Sequence, residues 1–202
     1  MFLPFQYHDP KTFEAFLSLA SSQEKYEVMA GGTDLLVKMR NGWQHCDCVI
    51  DIKKIEDLPE MKEIRQEESG ILLGALVDFT RIKEHPVIRE KFASLHEASC
   101  VMGCFEIRNR ATIGGNICTA GAGAEGGSSM LVLEALVNVI GKNGRRQVPL
   151  DRFYRTITRP DGSQKARVDL ERGELVSSFF LPYLPGEGRS EERRVGKECR
   201  SR

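Results

Sequence analysis

The sequence predicts a two-lobed protein of mixed strands and short helices, of α+β or α/β class. Three observations predict it: a β-α-β pattern that closes by about residue 56, a second set of strand signals from Ile71 onward, and glycine pairs that interrupt both stretches. In the first lobe, Asp9-Pro10 reads as an N-cap with proline at the first helical position. Phe13, Phe16, Leu17 and Ala20 then share one helical face. Tyr26 to Ala30 reads as a strand running into Gly31-Gly32. Thr33 is the expected cap of a helix that ends near Arg40, before Asn41-Gly42, and Cys48 to Ile52 is the next strand.

In the second lobe, Ile71 to Ala75 reads as a strand, Thr80 as a cap, and Pro86 as the start of a helix through about Val101. Arg108 to Ser129 is rich in Gly and Ala and poor in bulk, so it is expected to be mostly loop. A helix is expected over 129–135 and a strand over Leu136 to Ile140. Asn143-Gly144 marks a hairpin into Arg146-Gln147-Val148-Pro149, and Glu174 to Leu181 reads as the last strand, ending at Pro182.

Composition narrows the function. Twenty-nine basic residues balance 29 acidic ones over 202 residues, which gives no support to nucleic-acid binding. No apolar run approaches the roughly 18–20 residues that span a bilayer. The first ten residues carry no basic region or cleavage signature, so a cytoplasmic location is expected, with the six cysteines as reduced thiols. Neither Cys46-Asp47-Cys48 nor Cys100 and Cys104, expected on one helix, reproduces iron–sulfur or zinc spacing. The four histidines are scattered, so no metal site is expected. Residues 190–202 break with the rest: eight of these 13 are charged. The span 186–202 is expected to be a disordered tail of vector or adaptor origin, and it is set aside.

Two segments carry chemistry. Met29-Ala30-Gly31-Gly32-Thr33-Asp34-Leu35-Leu36 delivers two glycines from a strand to a helix start, where main-chain N–H groups can approach an anion and Thr33 adds a hydroxyl. It is neither a nucleotide-hydrolysing P-loop nor a Rossmann fingerprint. Ile107-Arg108-Asn109-Arg110-Ala111-Thr112-Ile113-Gly114-Gly115-Asn116 again pairs glycines with polar side chains. Each alone also fits a structural turn. Two of different design, one per lobe, suit an extended ligand with a pyrophosphate held between lobes. Cys118 is either a lining or a packing residue, and Arg108 and Arg110 face either phosphate or surface carboxylates.

Together, Ala30-Gly31-Gly32-Thr33-Asp34-Leu35-Leu36 and Thr112-Ile113-Gly114-Gly115-Asn116, with Ile71-Leu72-Leu73-Gly74-Ala75-Leu76 and Glu174-Leu175-Val176 in support, resemble the FAD-binding subunit of molybdenum hydroxylases. That family includes the flavin subunits of xanthine dehydrogenase and carbon monoxide dehydrogenase. The resemblance covers about residues 3 to 185. It implies an α+β, two-lobed FAD-binding domain of the PCMH (vanillyl-alcohol-oxidase-like) type, with lobes at 1–56 and 57–185. It places the pyrophosphate loop on Met29 to Leu36, a second flavin loop on Thr112 to Asn116, and a packing residue on Met102. An acidic contact to the ribityl or diphosphate falls on Glu125, where the family carries Asp, and Gly121-Ala122 stand where it carries Ser-Pro. A smaller C-terminal domain, which continues the family pattern, is expected to be absent.

The resemblance further implies an oxidoreductase component that carries FAD, partnered by a molybdenum-cofactor subunit and a [2Fe–2S] subunit, with NAD or another compound as acceptor. The flavin would carry the chemistry, so no side chain is nominated as acid, base or nucleophile. Two other readings remain open. One is a non-catalytic assembly module that keeps the fold, favoured by Gly121, Ala122 and Glu125. The other is a fragment of a stand-alone flavin-dependent oxidase, disfavoured by the short chain and the lack of a His beside either glycine segment.

Overall fold

The computed structural model describes residues 3–121, 124–158, 162 and 164–184. Ala122 and the expected 186–202 tail lie outside them. The first part of the chain forms β1 (Gln6–His8), α1 (Phe13–Ser22), β2 (Tyr26–Met29), α2 (Leu35–Arg40) and β3 (Cys48–Asp51). All three strands are parallel, in the order β1-β3-β2. Central β3 is buried along its whole length because both faces are covered. Cys48 and Ile50 face a cluster with Phe16 and Ala20, and Val49 faces the opposite way onto Met39 and Cys46.

The second part holds β4 (Ile64–Glu67), β5 (Gly70–Gly74), α3 (Phe79–Glu84), α4 (Pro86–Lys91), α5 (Ala93–Val101), α6 (Phe105–Arg108), α7 (Ile113–Thr119) and α8 (Glu125–Val132). There follow β6 (Leu136–Gly141), β7 (Gly144–Pro149), α9 (Leu150–Phe153), β8 (Tyr154–Thr158), β9 (Gln164–Val168) and β10 (Leu175–Pro182). Five strands form an antiparallel sheet in the order β4-β5-β10-β6-β7, and β8 and β9 pair separately. The helices bury Phe79, Ile82, Ile88, Leu95 and Ile113 against that sheet. Val176 and Phe179 join the same core although three residues apart. A register shift between Val176 and Ser178 makes this possible, because one extra residue reverses the strand's alternation.

The expected elements need several corrections. Helix α1 is capped by Thr12, whose hydroxyl accepts from the Ala15 amide at 3.2 Å, so Asp9-Pro10 precedes it. Helix α2 starts at Leu35 rather than beside Thr33, with Asp34 as its cap residue. Asp78, not Thr80, caps α3 through the Arg81 amide at 2.9 Å. The helix from Pro86 breaks at Phe92 into α4 and α5. Cys104 stands outside α5, as the residue that opens α6.

The largest correction falls on 108–129, which is helical in α7 and α8 rather than mostly loop. Glycine weakens an isolated helix by about 1 kcal/mol, and tertiary packing overrides that here. A Cβ on Gly126 would stand 2.8 Å from both Asn116 Oδ1 and Ile113 Cδ1, so the missing side chains let α8 settle on α7.

The two parts are fastened by Arg172, in the segment before β10. Its guanidinium donates to the carbonyls of Ala20 at 3.0 Å, Glu24 at 2.9 Å and Gln23, closing the C-terminal end of α1. It also lies 5.1 Å over the Tyr26 ring, whose hydroxyl accepts from the Gly173 amide at 3.0 Å. Arg172→Ala is expected to lower stability by roughly 1–2 kcal/mol, a fall of roughly 2–8 °C in Tm followed by circular dichroism. Arg172→Lys should recover only part of it, because a single ammonium cannot serve the carbonyls the fork reaches.

Candidate functional site

A cleft of about 600 Å³ lies where the two parts meet. Its walls include Met29 to Leu35 from the β2–α2 turn, Ala75 and Leu76 after β5, Ala111 to Asn116 save Ile113, and Leu175 and Val176 of β10. The site thus sits at the C-terminal ends of parallel β2 and β3, where strand ends and a helix start leave polar backbone atoms free.

The two glycine segments touch each other. A Cβ on Gly31 would fall 2.0 Å from the Arg110 carbonyl oxygen, which no side chain tolerates. Gly32 has φ +74°, the left-handed region that favours glycine, and this turns the chain from β2 toward α2. Among the described residues, the amides of Gly31, Gly32, Thr33, Asp34 and Leu35 have no hydrogen-bond acceptor; the first helical bond of the turn runs from Leu36 N to Gly32 O at 3.1 Å. Five consecutive donors therefore border the cleft, an arrangement that suits an anion.

The second segment uses its donors differently. Ile113 N donates to Val77 O at 3.0 Å, Gly114 N to Ala75 O at 2.9 Å, and Gly115 N to Thr112 Oγ1 at 3.1 Å. Asn116 N donates to Thr112 O at 2.9 Å, and its side-chain oxygen accepts from Gly126 N at 3.2 Å. Its contribution is a low wall. Gly114 must lack a Cβ because Ala75 O would lie 2.7 Å from one, whereas a Cβ on Gly115 would meet only Thr112 Oγ1, at 3.1 Å, on the cleft side.

Of the expected site residues, Met29 to Leu35, Met102, Thr112, Gly114, Gly115 and Asn116 come together around this cleft. Three stand elsewhere. Leu36 packs with Met39, Cys46 and Val49. Ile113 is fully buried in the large core, because the first residue of α7 turns inward. Glu125 is exposed on the first turn of α8 and is not part of the cleft wall.

Sequence reasoning missed Glu27, Lys38, Gln44, Leu170 and Leu175, which also line the cleft. Glu27 accepts from Gln44 Nε2 at 2.5 Å, and Lys38 pairs with Asp34 at 2.5 Å. Lys38 could have been found from its i, i+4 spacing to the expected Asp34. Leu170 and Leu175 carry no local signal, since only the sheet brings them near.

Missed too was a polar network beneath the first turn. Asp51 is 3% exposed at the end of β3 and accepts from Tyr7 Oη at 2.7 Å, Lys53 Nζ at 2.6 Å and Lys53 N at 3.0 Å. Burial pushes its carboxyl up, but the hydrogen bonds from Lys53 and Tyr7 outweigh that and hold it below its ordinary value. The Tyr7 phenol is pushed up to about 12, first by its hydrogen bond to that carboxylate. Cys118 both lines the cleft and packs, partly buried, against the large core, and burial pushes its thiol up to about 12.

Geometry defines the class first: a two-part α+β domain with an anion-suited turn facing a second glycine wall across an apolar-lined cleft. The particular family follows from comparison. Residues 3–184 match the FAD binding domain in molybdopterin dehydrogenase, and the chain belongs to that family, with FAD as its cofactor. It is 37% identical over 180 residues to the nicotinate dehydrogenase FAD-subunit of Eubacterium barkeri, covering 88% of this chain and 58% of the relative. It is 30% identical over 182 residues to a putative xanthine dehydrogenase FAD-binding subunit of Escherichia coli, covering 90% and 59%. The chain thus spans under two thirds of the length of these curated relatives.

Among solved structures it superposes on carbon monoxide dehydrogenase from Hydrogenophaga pseudoflava with a TM-score of 0.81 at 28% identity, covering 91% of this chain and 61% of that one. For quinoline 2-oxidoreductase from Pseudomonas putida the TM-score is 0.80 at 25% identity, covering 92% and 61%. The expected α+β FAD-binding fold is therefore the observed one.

Two outcomes follow from the geometry. Gly31→Ala is expected to cost roughly 3 kcal/mol or more, because backbone must move, whereas Gly115→Ala should stay within about 1 kcal/mol of wild type; urea unfolding midpoints compare them. Because burial holds the Cys118 thiol in its protonated, unreactive form, iodoacetamide at pH 8 should label exposed Cys104 well before Cys118 in the folded chain, as read by peptide mass mapping.

Proposed function

We propose that the chain is the flavin-carrying, electron-transfer part of a molybdenum hydroxylase, handing electrons received from [2Fe–2S] clusters of a partner subunit to NAD or another acceptor. A molybdenum-cofactor subunit is its other proposed partner, and the cytoplasm its proposed location. The relatives named as FAD subunits of nicotinate and xanthine dehydrogenases support that assignment. Thiols unpaired at Cys46, Cys48, Cys100, Cys104 and Cys118 suit a reducing compartment. Among the described residues no helix is long and apolar enough to cross a membrane, and no group of three or more His, Cys, Asp or Glu could hold a metal ion.

The observation that carries the reading is the run of unpartnered amides from Gly31 to Leu35 on the wall of a 600 Å³ cleft. These residues fit FAD, and each takes a distinct part. The Gly31–Leu35 amides and the Thr33 hydroxyl would hold the pyrophosphate. Gly115 leaves room for the ligand to lie against α7, with the Asn116 side-chain amide as a further donor. Met102, Leu76 and Leu175 supply apolar surface that excludes water. When bound, the isoalloxazine supplies the redox chemistry, and the chain supplies binding, orientation and electrostatics. Accordingly, no side chain of the cleft is assigned a proton-transfer role.

The test is to load the chain with FAD, desalt it and record the visible spectrum. An oxidised-flavin spectrum that bleaches with dithionite is expected. Gly115→Leu, which projects into the cleft, should lose the colour while its melting temperature stays within a few degrees of wild type. Colourless, folded wild-type protein would favour the assembly-module reading instead.

A further inference from the structure

The turn that presents the five free amides is soft by composition. Two adjacent glycines, one of them at φ +74°, leave its peptide planes able to rotate, and a turn that samples several orientations binds an anion only after paying to order itself. Something has to fix the first plane. Ala30 lies one residue beyond the last ladder pair, Met29 with Asp51, so the sheet does not hold its carbonyl.

Lys53 does. Its ammonium donates to Ala30 O at 2.8 Å and to Asp51 Oδ2 at 2.6 Å. The lysine is itself fixed, because its own amide donates to Asp51 Oδ1 at 3.0 Å, and Tyr7 Oη holds the same carboxylate from β1 at 2.7 Å. All three strands of the small sheet are thereby tied to one carbonyl oxygen. The peptide between Ala30 and Gly31 is planar and trans, so its C=O and N–H point in opposite directions. A carbonyl drawn toward Lys53 turns the Gly31 N–H away from it. Gly31 lines the cleft and Lys53 does not, so the lysine acts on the site through Ala30.

We propose that Lys53 is a positioning residue for the first glycine turn: paired with Asp51, it clamps the Ala30 carbonyl and so aims the amides that follow into the cleft. Its consequence for ligand affinity rests on the FAD reading, whereas its consequence for the turn does not. A plain ion pair that only neutralises Asp51 would leave the turn indifferent to the lysine.

The test uses the full 202-residue chain and two variants. Lys53→Met keeps the aliphatic stem and removes the ammonium. Asp51→Asn/Lys53→Met also removes the carboxylate that would otherwise be left short of a partner. In the ligand-free proteins, the ¹⁵N–¹H cross-peaks of Gly31, Gly32 and Thr33 are expected to move in both variants, while those of Ile113 to Asn116 stay in place. The FAD Kd, read from quenching of flavin fluorescence, should rise on the order of tenfold in both, with the melting temperature of the double variant near that of wild type. Unmoved Gly31–Thr33 cross-peaks would overturn the proposal, as would FAD held as tightly by both variants as by wild type. If wild type itself fails to quench FAD, the FAD reading falls, and the cross-peaks alone decide the role of Lys53.

Discussion

The close approach of Gly31 to the Arg110 carbonyl is the constraint on which the rest of the site depends. Two segments nearly 80 residues apart in the chain can touch only because one of them has no Cβ, and their contact fixes how close the two glycine-lined sides of the cleft stand. Everything beside it follows in sequence. Arg110 precedes Thr112, which caps α7; α7 supports α8 through Gly126; and α7 is held to the end of β5 by the Gly114–Ala75 bond. Forcing that contact apart would separate the two sides of the cleft.

The charge pattern of the cleft explains why the backbone has to do the anion binding. Glu27 and Asp34 line it, and Lys38, the cation beside them, is engaged by Asp34. Free lysines or arginines would attract any polyanion and pair with these carboxylates when the site is empty. Unpartnered amides do neither. They carry partial charge in a fixed direction and favour an anion of the right length over one of merely the right sign. A chain with equal numbers of acidic and basic residues can in this way hold a phosphorylated ligand without a basic patch.

Much of this was legible in the sequence, and for physical reasons. The strand before Gly31, the buried β3, the hairpin at Asn143-Gly144 and the final strand all carry local signals of burial or turn geometry, and all appear within a residue or two of expectation. In the α7–α8 region glycine and alanine speak for loop in isolation, whereas in the fold they serve tight helix packing that no local window reveals. The cap positions at Asp9 and Thr80 failed for a related reason. Several residues near each helix start could serve, and tertiary contacts choose among them. Leu170, Leu175 and the Tyr7–Asp51–Lys53 network were out of reach, since each depends on strand pairing between distant segments.

The same distinction separates the two glycine segments, which look alike as strings. In the first, Gly32 supplies a left-handed turn and the amides after it are left without acceptors. In the second, every amide from Ile113 to Asn116 already has an acceptor, and the glycines serve clearance, Gly114 toward the sheet and Gly115 toward the cleft. A motif therefore marks where a ligand can approach without stating which atoms meet it. The division has a mechanical benefit. A site whose two sides both relied on loose, unsatisfied backbone would carry the ordering cost twice, whereas here one side is rigid through its own hydrogen bonds and only the other has donors to spare. Among the described residues of the two glycine segments, that leaves the Gly31-Gly32 turn as the soft element, and it is seated on a buried carboxylate at the end of the central parallel strand.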